Sequence, residues 1–165
     1  MRTGIILFML ALVLGVFNHS VLRKEQTIST GRSILLDLAP RDPRSLIQGD
    51  YMQLRYRIAE QVSGDQLRDK GLLVLSTDSN RVAEFVRLDV GEPLAPGELR
   101  LIYRLRDGVR LGPDSFMFQE GQANTYAAAR YGELKVDAAG QAVLIGLRDS
   151  SFNLLTPVPS KSSPE

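Results

Sequence analysis

The sequence predicts a mainly β protein, an antiparallel β sandwich or partly closed barrel of about eight short strands with one short helix, behind an N-terminal transmembrane helix. Three observations carry this. Residues 4–22 hold no charge, the hydrophobic period becomes two after residue 33, and Gly, Pro, Asp and Asn recur between the alternating runs. At 165 residues the chain suits one domain with its own core. Its 20 Lys and Arg stand against 19 Asp and Glu, so a formal charge of +1 offers no field for a polyanion, and nucleic acid is not expected as a partner. With no cysteine and the single histidine His19, disulfides, thiolate nucleophiles, Cys or His metal clusters and most catalytic triads are excluded. No cofactor or metal is expected.

The apolar run opens at Gly4, closes at Leu22 and reads GIILFMLALVLGVFNHSVL. As a helix it spans about 28 Å, near the thickness of a bilayer core. Asn18, His19 and Ser20 dilute the run and admit a cleaved signal peptide, but no small-residue A-x-A site follows before Arg23, Lys24 and Glu25. The expectation is an uncleaved signal-anchor over residues 1–25, with the lipid bilayer as first partner. Arg2 and the amino terminus balance Arg23 and Lys24, so the positive-inside rule does not orient the helix. A short anchor of this kind resembles an uncleaved export signal, which places the domain outside the cytoplasmic (inner) membrane, facing the periplasm or cell exterior.

Residues 26–155 are read as the β domain. In residues 51–58, Met52, Leu54, Tyr56 and Ile58 share one face and Gln53, Arg55 and Arg57 the other, which predicts a half-buried strand. Residues 99–106 repeat the pattern, with Leu99, Leu101, Tyr103 and Leu105 opposite Arg100, Arg104 and Arg106, and the pair Asp107-Gly108 then turns the chain into Val109 as a hairpin. Further strands are expected over residues 34–38, 71–76, 82–89, 115–118, 133–137 and 141–147. Residues 122–130, with three consecutive alanines and little β-branched crowding, predict a helix of two to three turns. Residues 156–165, rich in Pro and Ser, are expected to form a disordered tail.

Gly49, Asp50, Tyr51, Leu54 and Tyr56 stand at the spacing G-D-Y-x-x-L-x-Y, and this resembles the bacterial GDYXXLXY-domain family. The resemblance extends to Lys24-Glu25, Gly31, Pro40, Asp42, Arg44 and Ser45 before the motif, and to Gln119, Glu120, Gly121, Tyr126, Ala129, Arg130, Tyr131, Gly132 and Glu133 after it. It implies a small membrane-anchored protein of uncharacterised function, of a kind often encoded beside polytopic membrane proteins. It names no reaction.

From their chemistry, Asp42-Pro43 and Gly49-Asp50 read as turns on either side of a short extended piece, with Asp50 as a turn or capping carboxylate. Tyr51 falls on the polar face, either exposed or as a lid, whereas Tyr56 belongs to the core and needs one partner for its hydroxyl. The run from Ser45 to Asp50 is similar to the P-T-L-x-x-G-D box of signal-peptidase-like serine hydrolases, which would make Ser45 a nucleophile with Lys70 or Lys135 as base. Lys70 follows Asp69, however, and Lys135 sits between Leu134 and Val136 and points away from their face. A Ser/Lys hydrolase is therefore the alternative. Glu120 and Glu133 bracket the expected helix and, if they converged, would suit a general acid and base or a divalent cation. The preferred reading pairs Arg130 with Glu120, Glu133 or Asp50, puts Tyr126 and Arg130 on one helix face, and places Phe116, Phe118 and Tyr131 in the core. Arg55, Arg57, Arg100, Arg104 and Arg106 form either a basic strip or a solvated face that protects strand edges. The function expected is an extracytoplasmic accessory or interaction domain without catalytic residues, serving a polytopic membrane protein.

Overall fold

The structure, a computed structural model, describes residues 2–39, 51–62 and 67–157. Helix α1 (Arg2–Thr30) is long and apolar enough to cross a membrane, and none of its most apolar window is buried in the protein. It continues past the expected limit of residue 25 and meets β1 (Arg32–Asp37) across a single residue, Gly31. Eight further strands follow among the described residues: β2 (Tyr51–Gln53), β3 (Lys70–Thr77), β4 (Ala83–Leu88), β5 (Glu98–Leu105), β6 (Val109–Leu111), β7 (Ser115–Met117), β8 (Tyr131–Val136) and β9 (Ala142–Arg148). Two one-turn helices, α2 (Arg57–Gln61) and α3 (Ala123–Ala127), interrupt them.

All strand pairs are antiparallel, in the orders β1-β8-β9, β4-β3-β5-β6 and β2-β7. An isolated parallel bridge between Leu35 and Val82 joins the first two sheets, and the result curls into a half-barrel. On the open side the Ile102 N–H donates to the Gly140 carbonyl at 2.9 Å, so the β8–β9 turn touches the opposite sheet. The core fills the concave side. Ile34 faces Leu134 across β1 and β8 with both side chains buried, and Leu73, Leu75 and Leu101 approach from the other sheet. The partly closed barrel is thus the form taken, because strand twist curls the sheets until their inner leucines meet.

The Asp107-Gly108 hairpin forms as expected, with φ of 47° and 115° at the two residues. The strand expected over 51–58 does not. Only Tyr51–Gln53 pairs with β7, and the chain then zigzags: Leu54 N–H donates to Asp114, Ala39 N–H to Arg55, Tyr56 bridges Leu38, and α2 begins at Arg57. Met52, Leu54, Tyr56 and Ile58 are all buried nonetheless, since alternation reports which side chains leave water and not which backbone pairs. The expected helix over 122–130 is cut to one turn. The Arg130 N–H is taken by the Arg148 carbonyl, and the Arg130 carbonyl by the Leu38 N–H, so the sheet claims backbone that the helix would need. Strand β8 accordingly starts at Tyr131, two residues before the expected 133. Residues 158–165 of the expected tail lie outside the described residues.

The α1–β1 junction depends on Gly31. Its N–H closes the last helical bond to the Thr27 carbonyl at 2.9 Å, and a Cβ there would run into that carbonyl oxygen and lie 3.1 Å from the Val136 carbonyl. Gly31→Ala is expected to cost about 1 to 3 kcal/mol by overpacking and to lower the melting temperature of the full chain in detergent. Gly15→Ala, with open space around it, should leave the melting temperature unchanged, and equal behaviour of the two variants would contradict this account.

Candidate functional site

The described motif residues gather around the far end of β1. Leu54 and Tyr56 are buried; the Tyr56 ring lies over Gly132 of β8, where an added Cβ would be 3.2 Å from it. The Tyr56 hydroxyl donates to the Pro113 carbonyl at 2.8 Å, and burial, then the charge of Asp114, push its pKa above the ordinary tyrosine range. It is a protonated structural donor and not a base. Tyr126 is also buried, its ring 5.0 Å from Phe116 and 5.2 Å from Phe118, and this packs α3 on β7. Both phenylalanines are half-buried against the core, as expected, whereas Tyr131 stacks on Phe152 at 5.1 Å outside the core cluster.

On the convex face of β1-β8-β9 two carboxylates each hold two arginines. Asp37 Oδ2 lies 2.9 Å from Arg57 Nε, and Asp37 Oδ1 lies 3.2 Å from Arg130 Nε. Glu133, only 4% exposed, accepts from Arg148 Nε at 2.6 Å and from the Ser33 hydroxyl at 2.8 Å, with Arg81 at 3.6 Å. Arg148 also donates to the Phe152 carbonyl at 2.6 Å, which ties this network to the turn that carries the stacked ring. Burial raises the Glu133 pKa, but the hydrogen bonds from Arg148 and Ser33, with the charges of Arg148 and Arg81, outweigh it and hold the carboxyl below its ordinary range.

These contacts correct several expectations. Arg130 lies beyond α3 and pairs with Asp37, not with Glu120 or Glu133, because its backbone is already part of the sheet. Glu120 is exposed and is not among the groups around Glu133, so the two carboxylates do not form a pair. Among the described residues no three His, Asp or Glu side chains gather as a metal site. The arginines do not make one strip: Arg57 serves Asp37 while Arg100 serves Asp89 at 2.6 Å. Asp37, Arg81 and Arg148 were not marked by any sequence pattern, because only the strand register sets them beside their partners. Asp42, Arg44, Ser45, Gly49 and Asp50 lie outside the described residues.

Tyr51 and Met117 face each other across the β2-β7 ribbon, 45% and 80% exposed. Of the two places considered for Tyr51, it takes the exposed one.

A comparison with protein families matches the GDYXXLXY protein model over residues 13–147, which takes in more than half of α1 and the β domain through most of β9. The chain belongs to the GDYXXLXY family. No curated protein and no solved structure matches it. In this GDYXXLXY protein the matched segment thus includes the buried Tyr56–Gly132 contact, the pairs of Asp37 with Arg57 and Arg130, Glu133 without its partner Arg148, and the exposed ribbon.

Glu133→Ala leaves Arg148 without its buried partner and is expected to cost about 3 to 5 kcal/mol, whereas Asp37→Ala, at a more exposed pair, should cost about 1 kcal/mol or less. Chemical denaturation of the three proteins checks the order. A carboxyl held below its ordinary value stabilises the fold above the unfolded pKa, near 4.5 for Glu133, and that contribution is lost as pH falls through the folded value. Between pH 5 and the folded pKa, Glu133→Gln should therefore lose less stability than the native chain, and parallel pH profiles would count against it.

Proposed function

We propose that this GDYXXLXY protein is an accessory domain held in the cytoplasmic membrane by α1, with its β domain on the extracytoplasmic side, serving a polytopic membrane protein. The exposed Tyr51–Met117 pair carries this reading. Tyrosine and methionine are enriched at recognition surfaces because they present large, adaptable apolar contact area, and this pair projects from a short ribbon in which Tyr51 lies five residues before Tyr56. The titratable groups described around the motif support a scaffold role: Tyr56, Arg130 and Glu133 are each committed to a partner within the protein.

The Ser/Lys alternative finds less support. Lys135 Nζ donates to the Gly31 carbonyl at 3.2 Å, where it ties β8 to the α1–β1 junction, and Lys70 is exposed at the start of β3.

A photo-crosslinking residue placed at Met117 in cells should join the chain to a polytopic membrane protein, and Tyr51→Ala should reduce that product several-fold. The same residue at Val90, 74% exposed elsewhere on the surface, should not capture it. Equal capture from both positions would remove the basis for this surface. Labelling of Ser45 by a serine-reactive probe, lost in Lys70→Ala or Lys135→Ala, would replace the accessory role with hydrolysis.

A further inference from the structure

Where α1 leaves its apolar run, a cleft of about 620 Å³ opens between the helix and the β8–β9 turn. Ser20, Arg23, Lys24 and Thr27 line it from the helix at the i, i+3, i+4, i+7 spacing that shares one face. Across from them stand Asp137, Gln141 and the small apolar wall of Ala142 and Val143. Thr27 is buried at the contact, its hydroxyl 3.2 Å from Asp137 Oδ2, so the cleft has one wall fixed on the other.

The charges in the cleft are unequal in their commitments. Asp137 is occupied: Oδ1 accepts the Ala139 and Gln141 N–H groups at 2.9 Å, and Oδ2 faces Thr27. Arg23 and Lys24 have no ion-pair or hydrogen-bond partner for their side chains among the described residues. Two cations against one carboxylate leave the cleft at +1, the complement of a single phosphodiester. Its level in a membrane agrees with this. Ser20 to Lys24 rises about 6 Å along the helix, and the polar layer of a bilayer leaflet is about 5 to 7 Å deep.

We propose that this cleft seats the phosphate of an anionic phospholipid headgroup, with Arg23 and Lys24 as its cationic ligands and the Ala142–Val143 wall against the glycerol backbone. A zwitterionic choline headgroup would bring an ammonium into a site already cationic, which favours a lipid whose phosphate is its only charge. The proposal rests on α1 spanning the membrane, and the test separates the two.

The full chain is reconstituted into phosphatidylcholine vesicles that contain a minority of phosphatidylglycerol, and lipid retained after release is counted by native mass spectrometry. The native chain should keep phosphatidylglycerol, and Arg23→Gln with Lys24→Gln should keep about thirtyfold less, the loss expected for two cations at a lipid surface. Gln141→Glu, which adds a carboxylate to the cleft and leaves the helix unchanged, should also reduce retention. Millimolar inorganic phosphate should displace nothing. Equal retention by the double variant, or displacement by inorganic phosphate, would overturn the lipid assignment. Release of the native chain from vesicles by alkaline carbonate would instead overturn the spanning helix itself, and a double variant that resists carbonate yet loses lipid isolates the headgroup site.

Discussion

The passage from helix to strand at Gly31 is the constraint on which the rest of the architecture depends. A helix leaves its last carbonyls without partners, and a strand needs its first ones aligned to a neighbour. Here both demands fall on residues 27–32, where the Gly31 N–H completes the helix while Arg32 already lies opposite Val136 in the sheet. Thr27 and Lys135 brace the two sides, one through Asp137 and the other through the Gly31 carbonyl. Because the register of β1 starts there, so do the oppositions that follow: Ile34 on Leu134 in the core, Leu36 on Gly132 under Tyr56, and Asp37 within reach of Arg130.

The convex face shows how such a register turns dispersed charges into a clamp. Asp37 and Arg130 are 93 residues apart in sequence, yet one β1–β8 pairing places them side by side. Buried ion pairs of the Glu133–Arg148 kind add little net stability over apolar packing, but a misregistered β8 would leave a carboxylate buried without its guanidinium. Their contribution is to penalise the wrong pairing more than to strengthen the right one.

The legible part of this protein was what local chemistry decides. The long apolar helix followed from an uncharged run, the β5–β6 hairpin from Asp107-Gly108, and the inward set Met52, Leu54, Tyr56 and Ile58 from a period of two. What local chemistry does not decide was read wrongly or not at all. Residues 54–58 alternate like a strand but lack a continuous neighbour, since their backbone groups are shared among Asp114, Ala39 and Leu38. Residues 128–130 have helical propensity but lose to the hydrogen bonds of Arg148 and Leu38. Arg148 and Asp37 carried no pattern of their own, so Arg130 and Glu133 were noticed while their actual partners were not.

With only Gly31 between α1 and β1, the β domain is tied directly to the end of the helix. Strand β1 carries the chain about 20 Å from Gly31 to the Leu38–Tyr56 contact, and in the membrane-spanning placement proposed above that contact sits at the end of a lever whose fulcrum is the bilayer. A change in helix tilt of about 10°, within the range by which single helices adjust to bilayer thickness, swings a point at that distance by about 3 to 4 Å. In that placement, a change in membrane thickness becomes a displacement of the Leu38–Tyr56 contact.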